Sequence, residues 1–110
     1  MNSDIAREMK TIEDAHDDLE IRRMRVDMSD KPYFEPTTDQ PLRTVEVDAT
    51  TGVFDYPKAV HLAENIARHG RKFGLKLQVI VSDPARCFGD VGNSAAIRGD
   101  AEMVAASSRV

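Results

Sequence analysis

The chain reads as a small α+β domain of two layers, an antiparallel or mixed sheet with a β-hairpin backed by two to three helices. Three observations predict it. Ile5, Met9, Ile12, His16 and Leu19 recur at spacings of four and three, the period of a helix stripe. Ala59, Leu62, Ala63, Ile66, Ala67 and Gly70 form a second and wider helical stripe. Val45 and Val47 alternate with polar residues, and Leu75 to Val81 alternates and then turns wholly apolar, as strands do. At 110 residues, 41% hydrophobic and 31% charged, the chain suits one domain over 1–110 with a modest core, and wholesale disorder is excluded.

The first helix takes Ser3 or Asp4 as its cap, because either side chain accepts from the free N–H groups of an opening turn. Residues 1–18 then form a protruding terminal helix, with His16 at the edge of its stripe. Beyond Asp18 the pattern changes. Leu19-Glu20-Ile21-Arg22 and Met24-Arg25-Val26-Asp27-Met28 alternate apolar with charged, which reads as a strand with a bulge at Arg22-Arg23. A helix running on to about residue 25 competes with it, since Arg, Met, Leu and Glu are good helix formers. Pro32, Pro36 and Pro41 make the next segment a loop, pinned to the core by Tyr33 and Phe34.

Arg43 to Asp48 is a strand, and Val53 to Tyr56 its hairpin partner across the turn Ala49-Thr50-Thr51-Gly52, where Gly52 takes the positive φ. Asp48 is then a turn residue. Pro57 opens a helix over 57–72, since a first-turn residue does not need the N–H that proline lacks. Leu62 and Ile66 anchor that helix in the core. A strand follows at 75–82, its Val79-Ile80-Val81 end covered on both faces, and Asp83-Pro84 stops it. A glycine-containing loop from Cys87 leads to a last helix over 95–106, and 107–110 fray.

Charge is distributed unevenly. Residues 1–30 carry nine acids against five bases, whereas 57–88 carry six bases against two acids, within a net charge of −4. Cys87 is the sole cysteine, so no internal disulfide forms, and a reducing cytoplasm is expected. No apolar run approaches the roughly 18 residues of a membrane span. The opening residues are too charged for a signal peptide.

Three constellations have the right residue types for chemistry. Gly89, Gly92 and Ser94 follow a strand and precede a helix, where backbone N–H groups can gather a phosphate. That loop lacks both the P-loop lysine and full dinucleotide-site spacing. Arg68, His69, Arg71, Lys72 and Lys76, with Phe73 among them, form a basic cluster. Asp48, Asp55, Asp83, His16, His61, His69 and Cys87 are the potential ligands or bases, but none has the compact spacing of a metal or catalytic set. Neither catalytic residues nor cofactors nor a metal are therefore expected. The function expected is a non-enzymatic interaction or regulatory module. It binds a protein partner or a second copy through Ile5, Met9 and Ile12 of the acidic helix and through Arg68, Arg71, Lys72 and Lys76. Nucleic-acid binding by the basic cluster is the alternative, and a small phosphate-binding or hydrolytic enzyme the second alternative.

Overall fold

The computed structural model describes residues 2–84 and 90–106. Three helices and three strands follow in the order α1 (Ser3–Asp27), β1 (Arg43–Asp48), α2 (Pro57–His69), β2 (Leu75–Val81), α3 (Ala95–Asp100) and β3 (Glu102–Ala105). The sheet has the order β1-β2-β3 and is parallel throughout. Arg43 lies opposite Leu75 and Asp48 opposite Ile80, while Gln78 lies opposite Glu102 and Val81 opposite Ala105. The expected antiparallel or mixed sheet with its hairpin is thus corrected to two consecutive strand–helix–strand units.

The reason lies in the turn after β1. Gly52 does take positive φ, at 89°, but it joins two short 3₁₀ turns, Ala49–Thr51 and Val53–Asp55. The Asp48 carboxylate accepts from the Thr50 N–H at 2.9 Å, and the Gly52 carbonyl from the Asp55 N–H at 3.0 Å. These bonds satisfy the backbone locally, with no partner strand. Val53 and Phe54 are both buried, whereas a half-covered strand would bury one of two successive residues. Pro57 follows at the first turn of α2 and leaves no room for a returning strand.

The segment 19–28, read as a strand, is helix as far as Asp27. Glu8, Met9, Ile12, Ala15, Leu19 and Arg22 are its buried residues and continue one stripe at helical spacing. Asn2, rather than Ser3 or Asp4, caps the helix, its Oδ1 accepting from the Ile5 N–H at 2.8 Å. At the other end of the chain the expected helix over 95–106 stops at Asp100. Ala101 is extended, and Glu102–Ala105 gain a ladder of hydrogen bonds beside β2 that outweighs the weak helix preference of the segment. The fraying expected at 107–110 falls outside the described residues.

Val45, Val47, Leu75, Leu77, Val79 and Val81 point to one face of the sheet and join Ile12, Leu19, Phe54, Ala63, Ile66 and Ile97 in the core. Leu62 packs at the edge of this core. Small Ala59, Ala63 and Ala67 let α2 lie close to the sheet. The other sheet face shows Thr44, Glu46, Lys76 and Glu102 to solvent, although Val79, Ile80 and Val81 are all buried.

Arg22 joins the elements at one end. Only 2% exposed, it donates from Nε to Asp18 at 3.0 Å, from Nη1 to the Phe73 carbonyl at 2.9 Å and from Nη2 to the Pro41 carbonyl at 2.8 Å. Its guanidinium lies 5.0 Å from the Phe34 ring centre, and that of Arg25 4.6 Å. Arg25 also donates to Gln40 and to the Glu35 carbonyl. Phe34 therefore pins the loop as expected, whereas Tyr33 is exposed.

Three outcomes follow from this packing. Arg22→Met should cost roughly 3–5 kcal/mol in urea unfolding, because it strands two carbonyls that the guanidinium satisfied. Ile12, fully buried, should cost about 2–5 kcal/mol on truncation to Ala, and a stable Ile12→Ala variant would place its side chain outside the core. On the exposed loop, the Lys31 ammonium hydrogen-bonds the Glu35 carboxylate at 2.7 Å and holds its pKa below the ordinary value. The depressed pKa means a contribution to stability that is present above the unfolded-state pKa and lost as pH falls through the folded-state one. A carboxyl NMR titration should give Glu35 a midpoint below that of an unstructured peptide, and Lys31→Met should raise that midpoint.

Candidate functional site

The junction made by Arg22 also shapes an open cleft of about 520 Å³ at the start of β1 and β2, lined by Leu42, Arg43, Thr44, Arg71, Gly74, Leu75 and Lys76. Gly74, at φ 78°, ends the 3₁₀ turn Gly70–Phe73 and turns the chain into β2. A Cβ there would stand 2.8 Å from Phe34 Cε1 and 2.9 Å from Arg22 Nη1, so the close approach requires glycine. Leu42, 72% exposed, and buried Leu75 supply apolar wall.

The basic residues at this end differ in how far they are neutralised. Arg68 pairs with Glu64 at 3.3 Å, Arg43 with Asp18 at 3.0 Å, and Lys76 with Glu102 on β3 at 2.5 Å. Arg71 donates to the Asp100 main-chain carbonyl at 3.2 Å. Among the described residues neither Arg71 nor Lys72 has a carboxylate within ion-pair distance, and both are exposed. Of the cluster expected at 68–76, Arg71 and Lys76 line the cleft, Arg68 and Lys76 are paired with carboxylates, and Arg71 and Lys72 are not. Phe73 is half-buried against the core.

The other predicted residues fall elsewhere. Met9 and Ile12 lie in the core and Ile5 at its margin, so the chain itself covers the stripe expected to meet a partner. His16 is half-buried, its Nε2 3.4 Å from Asn65 Nδ2. A different apolar stripe is exposed on α1. Ile21, Met24 and Met28 are 56%, 60% and 84% exposed and stand three and four residues apart, on the side away from Leu19 and Arg22. Read as a helix, 19–28 would have disclosed this stripe in the sequence. Read as a strand, it hides it.

At the opposite end of the sheet, where parallel strands usually present ligands, several polar side chains among the described residues are used in local hydrogen bonds. Asp48 caps the turn after β1, and Asp90 accepts from the Ser82 N–H at 2.9 Å. Ser94 is buried, and its hydroxyl accepts from the Ile97 N–H at 3.1 Å as the cap of α3. Gly92 has φ 62°, and a Cβ on it would stand 2.8 Å from Val60 Cγ2 and 2.9 Å from the Phe54 carbonyl. The loop thus lies down on its neighbours around Gly92. Gly89 and Cys87 fall outside the described residues. Asp55, His61 and Glu64 border a second cleft of about 480 Å³ beside Gly92, yet no group of three or more His, Cys, Asp or Glu among the described residues is arranged to hold a metal. No helix among them is long and apolar enough to cross a membrane. Neither a family model, nor a curated protein, nor a solved structure matches this chain.

Proposed function

We propose that this chain is a non-enzymatic protein-interaction module of the reducing cytoplasm, docking an acidic segment with apolar side chains at its basic end. The observation that carries this reading is the pair Arg71 and Lys72, cations without a carboxylate partner among the described residues, beside a cleft walled by Leu42 and Leu75. The guanidinium fork suits a carboxylate, and the ammonium adds a point charge free to follow it. The apolar wall gives such a segment contacts that simple charge attraction lacks. Exposed charges of this kind act mainly on the rate of encounter and make binding sensitive to salt. The nucleic-acid alternative draws on the same cations, but Phe73 is packed against the core rather than offered as a stacking face.

Fluorescence anisotropy with a labelled peptide of alternating Glu and Leu tests the reading. The intact chain should bind it, added salt should weaken binding, and the double variant Arg71→Glu, Lys72→Glu should lose about tenfold or more in affinity while keeping its circular dichroism spectrum. Binding of oligothymidylate without binding of the peptide would overturn the reading in favour of nucleic acid.

A further inference from the structure

Two features of α1 are not used by the basic cleft of the preceding reading. Ile21, Met24 and Met28 are three of the five large hydrophobic side chains exposed among the described residues, and they fall on one helix face. Scattered exposed apolar residues need no explanation, but an aligned stripe does. Methionine is also the most adaptable of the large apolar side chains and suits a surface that seats against another. The second feature is charge. Asp17 continues the stripe one turn towards the N-terminus and Asp27 flanks it, and neither has an ion-pair partner among the described residues.

Both features complement the cleft. It offers an exposed Leu42 to apolar side chains and Arg71 to carboxylates, and the exposed Lys72 follows Arg71 in the chain. The two surfaces cannot meet within one chain, because the stripe faces away from the body that α1 packs on. They do lie at the same end of the molecule, since Arg22, between Ile21 and Met24 in sequence, donates to the Phe73 carbonyl and would touch a Cβ on Gly74 in the cleft.

We propose that a second copy of this chain occupies the cleft, its Ile21–Met24–Met28 face seated against Leu42 and its Asp17 and Asp27 facing Arg71 and Lys72. The proposal rests on the cleft being a docking site, and adds the identity of the occupant. Because stripe and cleft share one end, a two-fold axis lets each copy give its helix and receive its partner's, which closes the assembly as a dimer. Reciprocity also helps the area, since each copy buries two patches rather than one towards the roughly 800 Å² per partner of a standard interface.

A charge exchange tests the pairing. Met24→Arg puts a cation on the stripe that the cleft repels, and Arg71→Glu puts an anion in the cleft. In sedimentation velocity the unaltered chain should dimerise with rising concentration and dissociate with added salt. Each variant alone should dissociate at about tenfold or more higher concentration. An equimolar mixture of the two should recover a one-to-one dimer, because the Arg on one stripe meets the Glu in the other cleft while the second contact stays native. Circular dichroism on each variant checks the fold, and recovery in the mixture itself requires both to be folded. A chain that stays monomeric at every concentration overturns the proposal. So does a mixture that stays monomeric when Met24→Arg alone has abolished the dimer, since the stripe would then meet its own counterpart rather than the cleft. If the chain is monomeric yet the acidic peptide binds, the docking site stands and only its occupant is wrong.

Discussion

A single buried guanidinium holds one end of this molecule together. Arg22 lies in the last quarter of a 25-residue helix, yet its bonds reach Asp18 on its own helix, Pro41 ahead of β1 and Phe73 ahead of β2. A buried charge is costly unless paired and fully hydrogen-bonded, and these acceptors supply that. Asp18 is shared with Arg43, so the carboxylate links α1 to the first residue of β1 as well. The entries to β1 and β2 are thereby set against α1, and the loop from 28 to 42 is folded back with Phe34 over the guanidinium.

The parallel sheet depends on that junction. Adjacent parallel strands make no tight turn, so each entry must be placed by other contacts. For β1 the Arg43 N–H donates to the Gly74 carbonyl at 2.8 Å, which aligns the first residue of one strand with the turn into the next. Gly74 can stand there because it has no Cβ to strike Phe34 or Arg22. The cleft between the two strand entries follows from the same geometry. The far end of the sheet, by contrast, uses its acidic and hydroxyl side chains to cap turns and α3.

The charge asymmetry is offset in part by ion pairs within the fold. Glu13 reaches Lys58 on α2, Glu64 reaches Arg68, and Lys76 reaches Glu102, each at 3.4 Å or less. Such exposed pairs contribute little to stability. They matter here by what they leave over. Asp17 and Asp27 on the outer side of α1, and Arg71 and Lys72 near the cleft, are among the charges whose field remains open to another molecule.

Elements with a strong local signal were legible in the sequence: the opening stripe, α2 with Pro57 at its start, the positive φ of Gly52, the Leu75–Val81 strand and the basic cluster at 68–76. Each is set by periodicity or by a residue with a restricted backbone, and neither depends on distant partners. The direction of strand pairing was not legible, because a turn at Gly52 serves a hairpin and a pair of 3₁₀ turns equally well until Val53 and Phe54 find the core. Nor was the nature of 19–28, where alternating charge imitates a strand and only the acceptors at Phe73 and Pro41 explain why an arginine is buried. The tail at 102–105 became a strand because β2 had a free edge beside it. The candidate site divides in the same way. Its cations could be read along the chain, but their separation into paired and unpaired, the apolar wall beside them and the exposed face of α1 arise from contacts between residues far apart in sequence, and those only the tertiary structure decided.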